Sequence, residues 1–216
     1  MAIYKLFPEK DTTLYSIKPE LNSGLDEILE SSLTVGVITK PSPQASRFLI
    51  QFTSGEIADV ITNKILGLQW QSNLRCFIAE ASGLISDTTI DVYPVSQSWN
   101  MGIGKYSNTP ETQNGASWIW KDTQGSIRWI SGSLNPGTTS SYSGSVDIGG
   151  GTWFVTQSLS GSQTFGYWDD KDINVNVTSI VSAWISSSIP NNGFILKQRN
   201  EFIDDINIQP QLKYFS

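Results

Sequence analysis

The chain contains no histidine and a single cysteine, Cys76. Without imidazole a Ser–His–Asp triad has no base, and most zinc and iron sites lose their commonest ligand. One cysteine excludes an internal disulfide. Cys76 alternates with Leu74 and Ile78, the pattern of a buried, inert thiol. Charge is sparse as well: 16% of the 216 residues are Asp, Glu, Lys or Arg, against about a quarter in ordinary domains. The net charge of −6 and pI near 4.6 leave little basic surface for nucleic-acid phosphates. No apolar run approaches about eighteen residues, so no segment reads as a membrane-spanning helix. The opening MAIYKLFPEKDTTL lacks a basic-then-apolar leader, which predicts synthesis in a cytoplasm and any exit by another route.

Polarity comes from Ser, Thr, Asn, Gln and Gly, with 30 serines, beside 38% hydrophobic residues. Such a balance describes a folded chain, since disorder needs fewer aromatics and more net charge. The length suits one large all-β domain with a well-buried core, or two small ones. The stretch 88–132 is the densest in signal and holds four of the eight tryptophans: Trp99, Trp118, Trp120 and Trp129.

In chain order, DTTLYSI (11–17) reads as a strand and PELNSG (19–24) as its turn. Alternation over 33–38 predicts a second strand, ended by the prolines of PSP at 41–43. RFLIQF (47–52) follows, with Phe48, Ile50 and Phe52 on one face. In GEIADVITNKIL (55–66), Ile57, Val60, Ile61 and Ile65 fall at helical spacing, and Thr53 or Ser54 can cap the start. Strands resume at 74–79 and 88–95, then a turn-rich passage runs over 98–116. Its Gly102-Ile103-Gly104 lacks the remainder of a phosphate cradle. Trp118 and Trp120 read as one strand with both indoles on one face, followed by 127–130. The flexible insert NPGTTSSYSGS (135–145) precedes strands at 152–158, 164–168 and 172–177. Thr178 can cap a second helix whose buried stripe is Ile180, Val181, Trp184 and Ile185, and the same threonine completes an Asn-Val-Thr sequon. Asn191-Asn192-Gly193 turns into FILKQR, and 211–215 closes the chain. Some ten short strands, two brief helices and no internal repeat predict a single jelly-roll β-sandwich over residues 1–216.

Ser46–Phe52, Ile90–Trp99, Gly115–Trp118, Val175–Trp184 and Asn191–Lys197 carry, in order, the pattern of the DNRLRE domain. The chain resembles that family and the related alginate-binding carbohydrate-binding modules. The resemblance implies a non-enzymatic jelly roll of larger extracellular or surface proteins. The opening through NSGLDEILE resembles the start of virion structural proteins of marine tailed phages, cyanophage-like, which carry such a domain at their N-terminus. This implies lysis as the way out and a longer parent protein beyond Ser216. The connection between Trp120 and Trp168 is longer than is usual in the family.

The candidate contact residues for a glycan or a protein partner are Trp120, Tyr106, Trp118 and Trp99. The indoles either fill the core or form a stacking platform for sugar rings, and Tyr106 and Trp120 border the polar loop. Asp169, Asp170 and Asp172 read as a solvated cluster, with calcium the alternative; Asp204 and Asp205 read as turn charges. Glu80, Asp91, Glu111 and Asp122 are scattered, without the paired, buried setting a glycosidase needs. No catalytic, cofactor or metal site is expected. The function expected is a structural, interacting part of a tailed-phage virion: tail, neck or fibre appendage, or capsid decoration. Its expected partners are other virion proteins, with homo-oligomer or lattice contacts through strand edges and the 135–145 loop, and neither nucleic acid nor membrane. The rival is a carbohydrate-binding module for a host-surface polysaccharide, in which two or three indole faces line a concave strip. An anionic glycan would need Arg75, Lys105 or Lys121 to gather locally.

Overall fold

The computed structural model describes residues 2–34, 44–66, 68–129, 138–140 (backbone), 149–155, 157–199, 201 and 210–216. Its first strands are β1 (Lys10–Tyr15), β2 (Ile28–Thr34), β3 (Gln44–Gln51), β4 (Asn73–Cys76), β5 (Ile78–Ser82) and β6 (Thr88–Pro94). Short pieces follow: β7 (Trp120–Asp122), β8 (Ile127–Arg128), β9 (Thr138–Ser140) and β10 (Thr152–Phe154). β11 (Gly161–Phe165), β12 (Ile173–Asn176), β13 (Phe194–Gln198) and β14 (Gln211–Phe215) complete the set. Helix α1 (Ser54–Asp59) runs on as a π-helical segment over Val60–Ile65, and α2 spans Thr178–Ile185. The result is the expected all-β sandwich with two short helices.

β3 is where the two layers meet. It pairs with β13 over Phe48–Ile50, with β1 over Ser46–Gln51 and with β2 at Gln44 and Ala45. The antiparallel sheet therefore curls, in the order β11-β6-β13-β3-β2-β14-β5. Between the layers lie Phe48, Ile50, Ile90, Val92, Phe194 and Leu196 from one side and Leu29, Leu212 and Tyr214 from the other. The β12–β4 pair, with alternate residues buried, adds Leu74, Cys76, Ile173 and Val175, and the helices add Ile57, Ile180, Val181 and Trp184. The opposite face of β1, β3 and β13 is covered too, by the passage following β6. There Leu14, Leu49 and Ile195 pack under Trp99, Trp118, Trp129 and Trp153. Two covered faces explain why RFLI is continuously buried, whereas a half-exposed strand alternates.

Several local expectations change. The second strand starts earlier, at Ile28, while 35–38 of its predicted span lies outside the described residues, as does most of the 135–145 insert. Its serines hid it: Ser31 and Ser32 are both buried, and the Ser32 hydroxyl lies 2.8 Å from that of Ser46 in β3. The predicted 74–79 strand breaks at Phe77, where the chain leaves β12 for β14. The helix starts also differ. Thr53 donates to Glu9 and Ser54 accepts from Asn191, so neither caps α1 with its side chain. At α2, Asn176 Oδ1 accepts from the Thr178 amide, while the Thr178 hydroxyl accepts from the Ser72 amide. Ile185 is exposed rather than part of the buried stripe.

The long passage after β6 is pinned by the buried Asn22. Its Nδ2 donates to the Met101 and Ala116 carbonyls at 2.7 and 2.8 Å, and its Oδ1 accepts from the Gly104 amide at 2.8 Å. A Cβ at Gly102 or Gly104 would meet Asn22, and φ is +76° at Gly102, so those glycines serve close approach. Cys76 is buried as expected, and burial pushes its thiol up to about 12. It is expected to resist a thiol reagent at pH 8 in the native protein and to react fully in denaturant; rapid native labelling contradicts this packing. Among the described residues no helix is long and apolar enough to cross a membrane.

Candidate functional site

The aromatic layer over β3 is built round a buried cation. β3 aims Arg47 into that layer, with its guanidinium 4.7 Å from the Trp118 ring and 5.4 Å from the Trp153 ring. Arg47 Nε donates to both Glu201 oxygens at 2.9 and 3.0 Å, Nη2 to Oε2 at 2.5 Å, and Nη1 to the Gly150 carbonyl at 2.8 Å. Both charged side chains are fully buried. Lys197 brings its Nζ to 3.6 Å from Glu201. Burial pushes the Lys197 ammonium below its ordinary value, and the Glu201 carboxylate opposes that shift. At Gly150, φ is +78° and a Cβ would run into the guanidinium and the Trp118 ring, so only glycine lets the chain pass there. Beside this node Arg199 grips Asp91, with Nη2 at 2.6 Å. Two fully buried, mutually saturated charges present no face to a substrate. The arrangement clamps β3 to the chain after β13.

The four candidate contact residues separate. Trp99 and Trp118 are 4% and 3% exposed and belong to the same cluster as Trp129 and Trp153. The Trp99 indole donates to the Asn192 carbonyl and the Trp129 indole to the Ser117 carbonyl, each at 2.9 Å. Trp118 lies outside any strand and Trp120 begins β7, so the predicted shared face does not form. Trp118 turns inward, and Trp120 is half-buried with Arg128 over its ring at 4.6 Å. Tyr106 is exposed, with Lys18 over its ring at 4.1 Å and the Tyr15 ring at 4.8 Å. A cation thus covers one face of each of the two surface rings.

The scattered carboxylates stay scattered. Glu80 pairs with Lys213 at 2.8 Å, Glu111 with Lys18 at 3.6 Å, and Asp122 accepts from the Gln124 amide. Asp169, Asp170 and Asp172 accept from the amides of Gly166, Asp172 and Ile78, respectively. No metal-holding group of His, Cys, Asp or Glu occurs among the described residues, from which Asp204 and Asp205 are excluded. Arg75 lies over Phe77 and Lys105 binds Glu27 at 2.5 Å, so these two cations are engaged apart from each other.

Two surface features were not foreseen. An open groove of about 340 Å³ is lined by Leu68, Gln69, Trp70, Thr178 and Ser182, without a charged side chain. The predicted 164–168 strand ends at Phe165, leaving Tyr167 and Trp168 on an exposed turn; Trp168 is 91% exposed. The signal for that turn was the Asp-Asp-Lys-Asp run directly after the aromatic pair, a turn-forming composition that ends a strand. In comparisons with protein-family models and with curated proteins, the chain matches none.

Proposed function

We propose that this chain is a non-enzymatic interaction domain of the DNRLRE type, a structural part of a tailed-phage virion in its tail, neck, fibre appendage or capsid decoration. The observation that carries the interaction reading is the fate of the tryptophans. Five of the eight, Trp99, Trp118, Trp129, Trp153 and Trp184, are buried. Indoles so placed give rigidity to a sandwich and leave contacts to the surface. The family and virion assignments rest on the resemblance of the opening and of the five ordered motifs. The ends of the curled sheet, β11 and β5, supply edges for contact with neighbouring virion proteins or further copies.

A host-glycan-binding module is the rival reading, and its support is the groove at Trp70. One half-buried indole, an amide and two hydroxyls without charge suit a neutral sugar better than an acidic one. Tryptophan fluorescence quenched by neutral acrylamide decides between the two. Most emission is expected to resist quenching, Trp168→Phe to remove the larger part of the accessible fraction, and no host polysaccharide to change either. Relief of quenching by a polysaccharide, persisting in Trp168→Phe, makes the glycan reading the correct one.

A further inference from the structure

The turn 166–172 carries the most exposed indole of a chain that buries most of the others. We propose that Tyr167 and Trp168 form a preformed docking tip for a basic protein surface, an arginine stacking on the Trp168 face; this rests on the interaction reading above. The two rings pack edge-on, 4.6 Å apart at 83°. The turn beneath them is held from several sides. The Gly166 amide donates to Asp169 Oδ2 at 2.7 Å, the Asp172 amide to Asp170 Oδ1 at 3.1 Å, and the Ile78 amide to Asp172 Oδ1 at 2.8 Å. Lys171 Nζ reaches the Tyr167 carbonyl at 3.1 Å and also the Asp169 carbonyl. An aromatic anchor on a fixed turn loses little conformational freedom when a partner covers it.

Charge selects the partner. Asp87, Asp169 and Asp170 are exposed, and Asp87 sits beside Gly166 at the same end of the β6–β11 pair. The only cation in 166–172, Lys171, is turned onto the turn's own carbonyls. An exposed indole followed in the chain by Asp169 and Asp170, with Asp87 beside Gly166 of the same turn, suits a guanidinium, which stacks on the ring and pairs with the acids. The same acids repel anionic lipid headgroups. A second copy brings the same net charge of −6.

The test is a titration of the ¹⁵N-labelled protein, following the Trp168 indole N–H signal. The probe is a decapeptide of alternating Arg and Gly; a Glu–Gly decapeptide and cellohexaose serve as comparisons. The Trp168 signal is expected to shift saturably with the Arg–Gly peptide alone. Trp168→Ala should weaken binding roughly ten-fold or more, the scale of an interface anchor. Asp87→Asn should weaken it about three-fold and flatten its salt dependence, as loss of one nearby charge does. Among the rings of the described residues Trp168 packs on Tyr167 alone, so the variant's unfolding midpoint should match the parent's and report on folding independently. The proposal is overturned by a silent Trp168 signal, by unchanged affinity in Trp168→Ala, by a saturable shift with cellohexaose, or by a dimer that Trp168→Ala abolishes. A silent peptide titration alongside glycan-insensitive quenching rejects this tip only; glycan-relieved quenching rejects the interaction reading beneath it.

Discussion

Replacing Arg47 with alanine is expected to cost about 3–5 kcal/mol of folding stability, because it leaves the carboxylate of Glu201 buried without its partner. Domains of this kind hold roughly 5–15 kcal/mol in total, so the loss is a large share of the whole. Urea unfolding measures it as a lower midpoint at unchanged slope. Three features set the size. The pair is completely buried, the guanidinium makes a forked contact with both carboxylate oxygens, and two indole rings lie against it. Arg47→Lys keeps the charge but cannot reproduce the fork, and should fall between parent and alanine. Replacing both partners together, Arg47→Met with Glu201→Leu, should recover most of the loss, since apolar groups of similar volume need no compensation. Lys197 limits that recovery: with Glu201 gone, its depressed ammonium loses the carboxylate 3.6 Å away. An Arg47→Ala loss below about 1 kcal/mol shows the node to be wet and weak, as surface ion pairs are.

Trp118→Ala should cost about 3–5 kcal/mol, the range for removing a large aromatic from a packed core. Trp118 is 3% exposed, packs with Trp99, Trp129 and Trp153, and forms one wall against Arg47. The alanine leaves a cavity next to a buried charge, which the Gly150 backbone, itself against the ring, fills poorly. Trp168→Ala provides the contrast. Its side chain is 91% exposed, and surface substitutions of this sort stay within about 0.5 kcal/mol. Thermal or urea unfolding of the two variants reads the difference directly. Near-equal stabilities mean that Trp118 is a surface contact after all. Trp118 and Arg47 share a contact, so their double variant should depart from additivity by about 0.5–3 kcal/mol.

Much of this molecule could be read without coordinates. The last strand stands where it is expected, at Gln211–Phe215. Ile173 and Val175 face inward in β12, and Cys76 is buried. Helical periodicity found both helices, and Asn191-Asn192-Gly193 turns into β13, with φ of +87° at Gly193. These features depend on neighbours within a few residues, where period, turn chemistry and β-propensity act.

The partners across the fold could not be read this way. Arg47 opens the RFLIQF segment with nothing nearby in the chain to pair it, yet its counter-ion comes from 154 residues further along the chain. Whether a tryptophan fills a core or meets solvent was equally hidden. Trp118 and Trp120, two apart, go to different environments because the passage over β3 is shaped by the buried Asn22 rather than by strand alternation. Trp168 looked like a strand residue and stands outside every strand. By itself the sequence determined the fold class, the core-forming strands and the absence of imidazole chemistry, since composition and short-range period suffice for these. Only the tertiary structure decided which charges are buried together, which rings pack the core and which ring is left in water, because each depends on contacts between segments far apart in the chain.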